Sequence, residues 1–246
     1  MQAAVEAQDF AAAARFRDEK AALMAALSAS ELELQATLAQ LRSGSPDARL
    51  AAARALGARG DPAAAPLVAS ALHDPDERVH VAAEKACWAL WMKSGEEAVD
   101  NLMSTGMRTL EAASSPAGGE AALEAALVAF TSAAALAPDF AEAWNKRATV
   151  LYLLKRFAQS LQDCERVVKL NPDHFGAFSG GAMCALSLGD HAVAMKWFKA
   201  ALAVNPRLEA AQKYSEMLAK AAEQRQEGGD EATLEQDLPF RAKEEE

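Results

Sequence analysis

Aromatic residues are scarce in this chain, at 6% of 246 residues, although 51% are hydrophobic. Alanine supplies much of the difference, and it is the best helix former because it loses no side-chain entropy in a helix. Alanine-rich helices pack closely and bury modest area per residue, which suits stacked helical hairpins better than one large core. There is no run of about 18 uncharged apolar residues, so membrane insertion is not expected. No basic segment followed by an apolar run marks a secretory signal, and Glu6 and Asp9 argue against an organelle transit peptide. Cysteine is also sparse. Cys87, Cys164 and Cys184 lie on helical segments without a C-x-x-C pair, and an odd set of this kind reads as reduced core thiols in an intracellular compartment.

Signatures of chemistry are missing as well. The four histidines, His73, His80, His174 and His191, show neither H-E-x-x-H spacing nor a cysteine at ligand distance. No phosphate-binding glycine loop, dinucleotide turn or nucleophile elbow is present. No catalytic residue, cofactor or metal is therefore expected. His174 and His191 fall in predicted inter-helix turns, where exposure to solvent is the expectation. The net charge is -10, and residues 223–246 hold nine acidic residues against Arg225, Arg241 and Lys243. The tail thus contributes -6, which leaves no basic stripe for a phosphate backbone and no expectation of nucleic acid as a partner.

What is present is a repeat. Residues 141–172 and 175–206 align at an offset of 34, pairing Trp144 with Phe178, Ala148 with Ala182, Ser160 with Ala194, Cys164 with Phe198, and Pro172 with Pro206. Small residues let two helices approach, and a proline cannot continue a helix, so each proline marks the start of the next unit. The pattern resembles the tetratricopeptide (TPR) repeat. An earlier copy carries Gly106 and Leu110 on its first helix and Ala126, Phe130, Ala133 and Pro138 on its second. Between them, S-S-P-A-G-G-E adds about eight residues to an unbroken repeat, read as an extended turn. An amphipathic helix from about Leu208 to Gln224 is expected to cap the last apolar face.

The resemblance implies an all-α solenoid whose first helices line a concave groove. With repeats starting at Val99, Ala141 and Phe175, the groove residues are Met103, Met107, Leu110, Glu142, Asn145, Thr149, Tyr152, Ser179 and Met183. A carboxylate clamp of the co-chaperone kind needs lysine, asparagine and arginine there, and only Asn145 fits. Methionine adapts to irregular apolar ligands, so the expected guest is a helical or extended segment of another protein.

Two further segments complete the reading. Residues 45–94 contain D-x-R-x-x-A-A-x-A-L-G-x-x-G-D from Asp47 and a shorter echo from Asp76, and they resemble a HEAT-like repeat of the kind noted in phycobilin lyases. Asp47 and Asp76 are expected to cap helices, and the segment to dock on the first TPR through Trp88 and Trp91. Residues 3–23 resemble the UVR motif of UvrB, UvrC and Clp-protease adaptors, with Lys20 in place of an apolar residue. Phe10, Phe16, Arg17 and Leu23 form its contact face. A plain alternative is an antiparallel pairing with residues 30–42, started by a capping box at Ser30 and Glu33. The expected layout is a hairpin (1–43), a HEAT-like pair (45–94), three TPRs (99–208), a capping helix (209–226) and a disordered acidic tail (227–246). Such modules together resemble plastid assembly or proteolysis scaffolds. The chloroplast stroma is then the expected compartment, with the bacterial cytoplasm as alternative. A Clp-type protease adaptor and a bilin-lyase-like protein are the competing functions.

Overall fold

The computed structural model describes residues 10–113 and 119–228, with side chains placed for all of these except 23–26 and 225–228. The described residues form twelve α-helices and no strand. In chain order these are α1 (Phe10–Ala26), α2 (Ala29–Ser43), α3 (Pro46–Arg59), α4 (Ala65–Ser70), α5 (Glu77–Trp91), α6 (Glu97–Ala113), α7 (Gly119–Leu136), α8 (Ala141–Leu153), α9 (Phe157–Leu170), α10 (Phe175–Ser187), α11 (His191–Val204) and α12 (Glu209–Gly228). Single 3-10 turns at Pro62–Ala64 and Ala71–His73 flank α4. The architecture is an α-solenoid. Each helix packs mainly on its neighbours in sequence, as expected where small residues set the inter-helix distance.

The HEAT-like part is built on α2 to α5. Leu56, Val68, Leu72, Val79 and Leu90 are fully buried in one cluster, with Leu34 and Leu38 of α2 packed against it. Alanines allow α3 and α5 to cross closely; at Gly57 a Cβ would stand 2.8 Å from that of Ala86. The repeated D-x-R phrase serves to tie the segment together. Arg49 bonds both oxygens of Asp74, at 2.6 and 2.9 Å, while Arg78 pairs with Asp47 and Asp76. Asp76 caps α5 as expected, through Arg78 N–H. Asp47 does not cap α3. Ser45 does, because Pro46 takes the first helical position and moves the cap one residue earlier.

At the N-terminus the antiparallel pairing is absent. Among the described residues α1 has no extensive contact with another helix, and Phe10 and Phe16 are 72% and 52% exposed. α2 turns its leucines to α3 instead, joining the HEAT-like core. The capping box is present two residues earlier than expected, with Ser28 as N-cap and Glu31 reaching back to it. Ser30 accepts from Arg59 of α3, which fixes it to the HEAT-like core. Residues 1–9, the start of the UVR-like segment, lie outside the described residues, as does the acidic tail beyond Gly228.

The TPR hairpins follow the pattern read from sequence. Ala148 and Ala182 are buried on α8 and α10, and the Ser160 hydroxyl donates to the Ala148 carbonyl at 2.7 Å where α8 meets α9. On α6, Gly106 lets the Phe130 ring come so close that a Cβ would lie 2.6 Å from it. Trp144 and Phe178 pack half-buried in successive cores, so their equivalence holds. Burial of Phe130 and Phe198 supplies roughly 1.5–3 kcal/mol each. The added residues in the first hairpin lengthen its helices: α6 and α7 have 17 and 18 residues, against 13 and 14 in α8 and α9. Residues 114–118 of the expected turn lie outside the described part.

Among the described residues α7 is the helix that bears on the membrane expectation. By length and composition it is apolar enough to cross a bilayer, with a mean hydropathy of 1.3 and two glutamates in 18 residues. In the fold it is the second helix of the α6–α7 hairpin, and Ala126, Phe130 and Ala133 of one face are buried. α12 closes the other end of the array, stacking Tyr214 on Phe198 with ring centres 5.4 Å apart.

Candidate protein-binding groove

The first helices of the second and third repeats, α8 and α10, lie side by side. Asn145, Thr149 and Tyr152 recur at helical spacing along one face of α8, and Ser179, Met183 and Ser187 along α10. The two rows meet where the Ser187 hydroxyl approaches the Tyr152 hydroxyl at 3.4 Å. Thr149 and Leu153 are exposed, and Tyr152, Ser179, Met183 and Ser187 are half-buried. This is the outer half of the concave face, toward the C-terminal ends of the two helices.

The inner half is occupied by the protein itself. Glu142 and Asn145 are 1% and 8% exposed, because the end of α5 lies over this region. Trp91 stacks on the His174 imidazole with ring centres 4.4 Å apart. Trp88 meets His174 and Phe175 edge-on at 5.5 and 5.3 Å. The Lys146 ammonium stands 5.6 Å over the Trp88 ring, a cation–π contact. Gly176 is the seat of Trp88, since a Cβ there would fall 2.4 Å from the ring edge. The same docking continues to the last inter-repeat turn. Asn205 donates to Glu84, and Arg207 donates to the carbonyls of Asp74 and Pro75.

The HEAT-like segment therefore rests on the turns that open the third TPR and the capping helix, not on the first TPR. Trp88 and Trp91 are junction core, as their spacing suggested, but their partners are His174 and Phe175. His174 is fully buried instead of exposed. Its Nδ1 accepts the Ala177 N–H at 3.0 Å, capping α10. The remaining ring hydrogen must then sit on Nε2, 2.8 Å from Glu142. Glu142 also accepts from Asn145 and Lys146. Burial raises the Glu142 carboxyl, but the His174 hydrogen bond and the Lys146 charge outweigh it, so it stays below its ordinary value.

The remaining candidates divide. Met103 is 2% exposed in the core formed with Phe130, and Met107 and Leu110 pack against that core. The apolar side chains of α6 turn toward α7 and α8, so the first repeat contributes no methionine-lined trough. Arg17 pairs with Asp18 on α1, and the side chain of Leu23 lies outside the described residues. Leu153 and Ser187 were not singled out beforehand, although the helix spacing from Asn145 and Ser179 points to both. Beside the junction a cleft of about 230 Å³ remains, between Pro62, Pro66, Trp91 and Phe140.

This arrangement defines a solenoid of helical hairpins, with one module docked into another. HEAT repeats match residues 34–109, and tetratricopeptide repeats match residues 141–174 and 182–208. The HEAT match extends past 45–94 onto α2 and α6, in keeping with the packing of α2 on α3. A TPR repeat-containing protein of Rhizobium etli is 33% identical over 147 residues, covering 60% of this chain and 67% of that protein. The chain belongs to the TPR repeat-containing proteins. Among solved structures it is similar to the Sgt2 TPR domain from Aspergillus fumigatus, at 16% identity and a TM-score of 0.48, covering 61% of this chain and 93% of that one. The Arabidopsis OM64 TPR domain gives 22% identity and 0.46, covering 51% and 97%.

Proposed function

We propose that the chain is a non-enzymatic scaffold that holds an extended or helical segment of another protein against the outer half of its TPR groove. The observation that carries this reading is the division of the concave face. Glu142 and Asn145 are closed off by the HEAT-like segment, while Thr149, Tyr152, Leu153, Met183 and Ser187 lie open along two adjacent helices. That surface is apolar with hydroxyls at intervals, and it can hold methyl groups and thioethers while pairing a guest's polar atoms. Lys146 is engaged with Glu142 and Trp88, so it is not free to receive a carboxylate terminus in the groove.

Peptides selected from a random display library on the intact chain provide the test. Thr149→Glu and Met183→Glu should each weaken the selected peptides about tenfold, by placing a charge in a partly desolvated contact. Val128→Glu, on the exposed face of α7, should not. Equal loss in all three variants, or none in the groove variants, overturns the reading.

A second contact surface at the N-terminus is favoured by one observation, the exposure of Phe10 and Phe16 on α1. A Clp-type adaptor role would use that end. Residues 1–43 retained on an unfoldase column would support it, and passage through the column would end it.

A further inference from the structure

We infer that the HEAT-like helix α5 is a built-in ligand of the TPR groove, and that a partner helix carrying aromatic residues three apart competes with it for the inner half. This rests on the groove being the partner-binding face, as proposed above. Four features make the inner half a recognition seat. The seat offers a flat imidazole (His174) as a stacking surface and a glycine (Gly176) that admits an indole edge. It also offers a cation (Lys146) over one ring and a second aromatic (Phe175) against both. Trp88 and Trp91 occupy that seat from a single helical turn of α5. Both rows of the seat come from the starts of α8 and α10, the same helices that line the open half, so an occupant of the inner half is continuous with one of the outer half.

The HEAT-like core reaches across the junction to take in Phe175, while the TPR part keeps two further cores of its own. α5 reaches α6 through residues 92–96, where Gly95 is exposed in a left-handed conformation with nothing packed around it. The attachment of the HEAT-like part to the third repeat is made by side chains. Beyond the aromatic seat it consists of the Asn205–Glu84 bond, the Arg207 bonds to Asp74 and Pro75, and apolar contact with Val204 and Leu208. Contacts of this kind exchange with a competitor presenting the same groups. The cleft beside Trp91, bounded by Pro62, Pro66 and Phe140, shows where the junction is incompletely filled.

The test uses the full chain with a protease site inserted after Gly95 and cut once the protein has folded, since exposed loops tolerate such insertions. The probe is a synthetic peptide of Glu77–Trp91. The two parts of the cut chain should elute together. Excess peptide should release the N-terminal part, and a peptide with Trp88→Ala and Trp91→Ala should need about tenfold more. In a cut chain carrying Gly176→Val the parts should separate, while the uncut variant keeps its helical circular dichroism. Separation of the unaltered cut chain without peptide, equal release by the two peptides, no release by either, or retention in the Gly176→Val chain each overturns the inference. No outside protein enters this assay, so its failure overturns the inner-half occupancy. Failure of the Thr149 and Met183 variants overturns the outer-half reading.

Discussion

Replacing Glu142 by glutamine removes one charge from a site where every carboxylate lone pair is in use. Its Oε2 accepts from His174 at 2.8 Å and from Asn145 at 3.2 Å, and its Oε1 from Lys146 at 3.1 Å and Asn145 at 3.2 Å. Glutamine fits the same space, but its amide nitrogen is a donor facing donors. One partner, Lys146 or Asn145, is left without an acceptor, and the His174 bond loses its charge assistance. An unsatisfied buried donor costs about 1–3 kcal/mol and a lost charge-assisted bond adds to that, so Glu142→Gln should cost about 3 kcal/mol. Urea unfolding followed by far-ultraviolet circular dichroism at pH 7 reads this directly. The pH dependence has a definite sign. Because the folded carboxyl lies below its ordinary value of 4.5, its contribution is present above that value and fades as pH falls through the folded pKa. The gap between the native chain and Glu142→Gln should therefore narrow below pH 4.5. A cost under about 0.5 kcal/mol at pH 7, of the size expected for an unremarkable surface change, would refute the reasoning. So would a gap that widens in acid.

Ser28→Ala removes the hydroxyl that accepts from the Glu31 N–H and donates to the Glu31 carboxylate at the start of α2, and should lower stability by about 1 kcal/mol in the same assay. Gly189 adopts φ +79 at the turn of the third repeat, where the second repeat places Lys155 at φ +59; Gly189→Ala should cost about 1 kcal/mol net of the entropy it removes from the unfolded chain. All three cysteines are buried, and burial, with Asp173 and Glu84 adding to it, pushes the Cys87 thiol up to about 12. Cys87 should not react with a thiol reagent at pH 8 until urea is added, and its rapid labelling in the native chain would show that α5 opens locally.

The repeat register was legible because it is set by contacts within each hairpin. Gly106, Ala148 and Ala182 must be small for two helices to touch, and the terminal prolines punctuate the period, so both signals are local. The docking of the HEAT-like segment was not legible. It joins Trp88 and Trp91 to His174 and Phe175, more than eighty residues away, and one sequence shows no trace of that pairing. The burial of His174 was missed for the same reason: a histidine in a turn reads as exposed unless its cover is known. Met103 was misassigned because helix-A positions face a groove only where no neighbour covers them, and it lies instead under Phe130 and Val99. The shift of the capping box from Ser30 to Ser28 is a smaller matter. Two serines two residues apart each have a glutamate three residues on, and only contact with Arg59 decides between them.

The central claim is that α5 is held in the TPR groove by its tryptophans. A double-mutant cycle between Trp91→Ala and His174→Ala, read by urea unfolding, tests it most directly. Because either single substitution already removes the contact of rings stacked at 4.4 Å, the double variant should lose about 1 kcal/mol less than the sum of the single losses. Additive losses within about 0.3 kcal/mol would mean that the two residues do not meet in solution, and that the inner half of the groove is open.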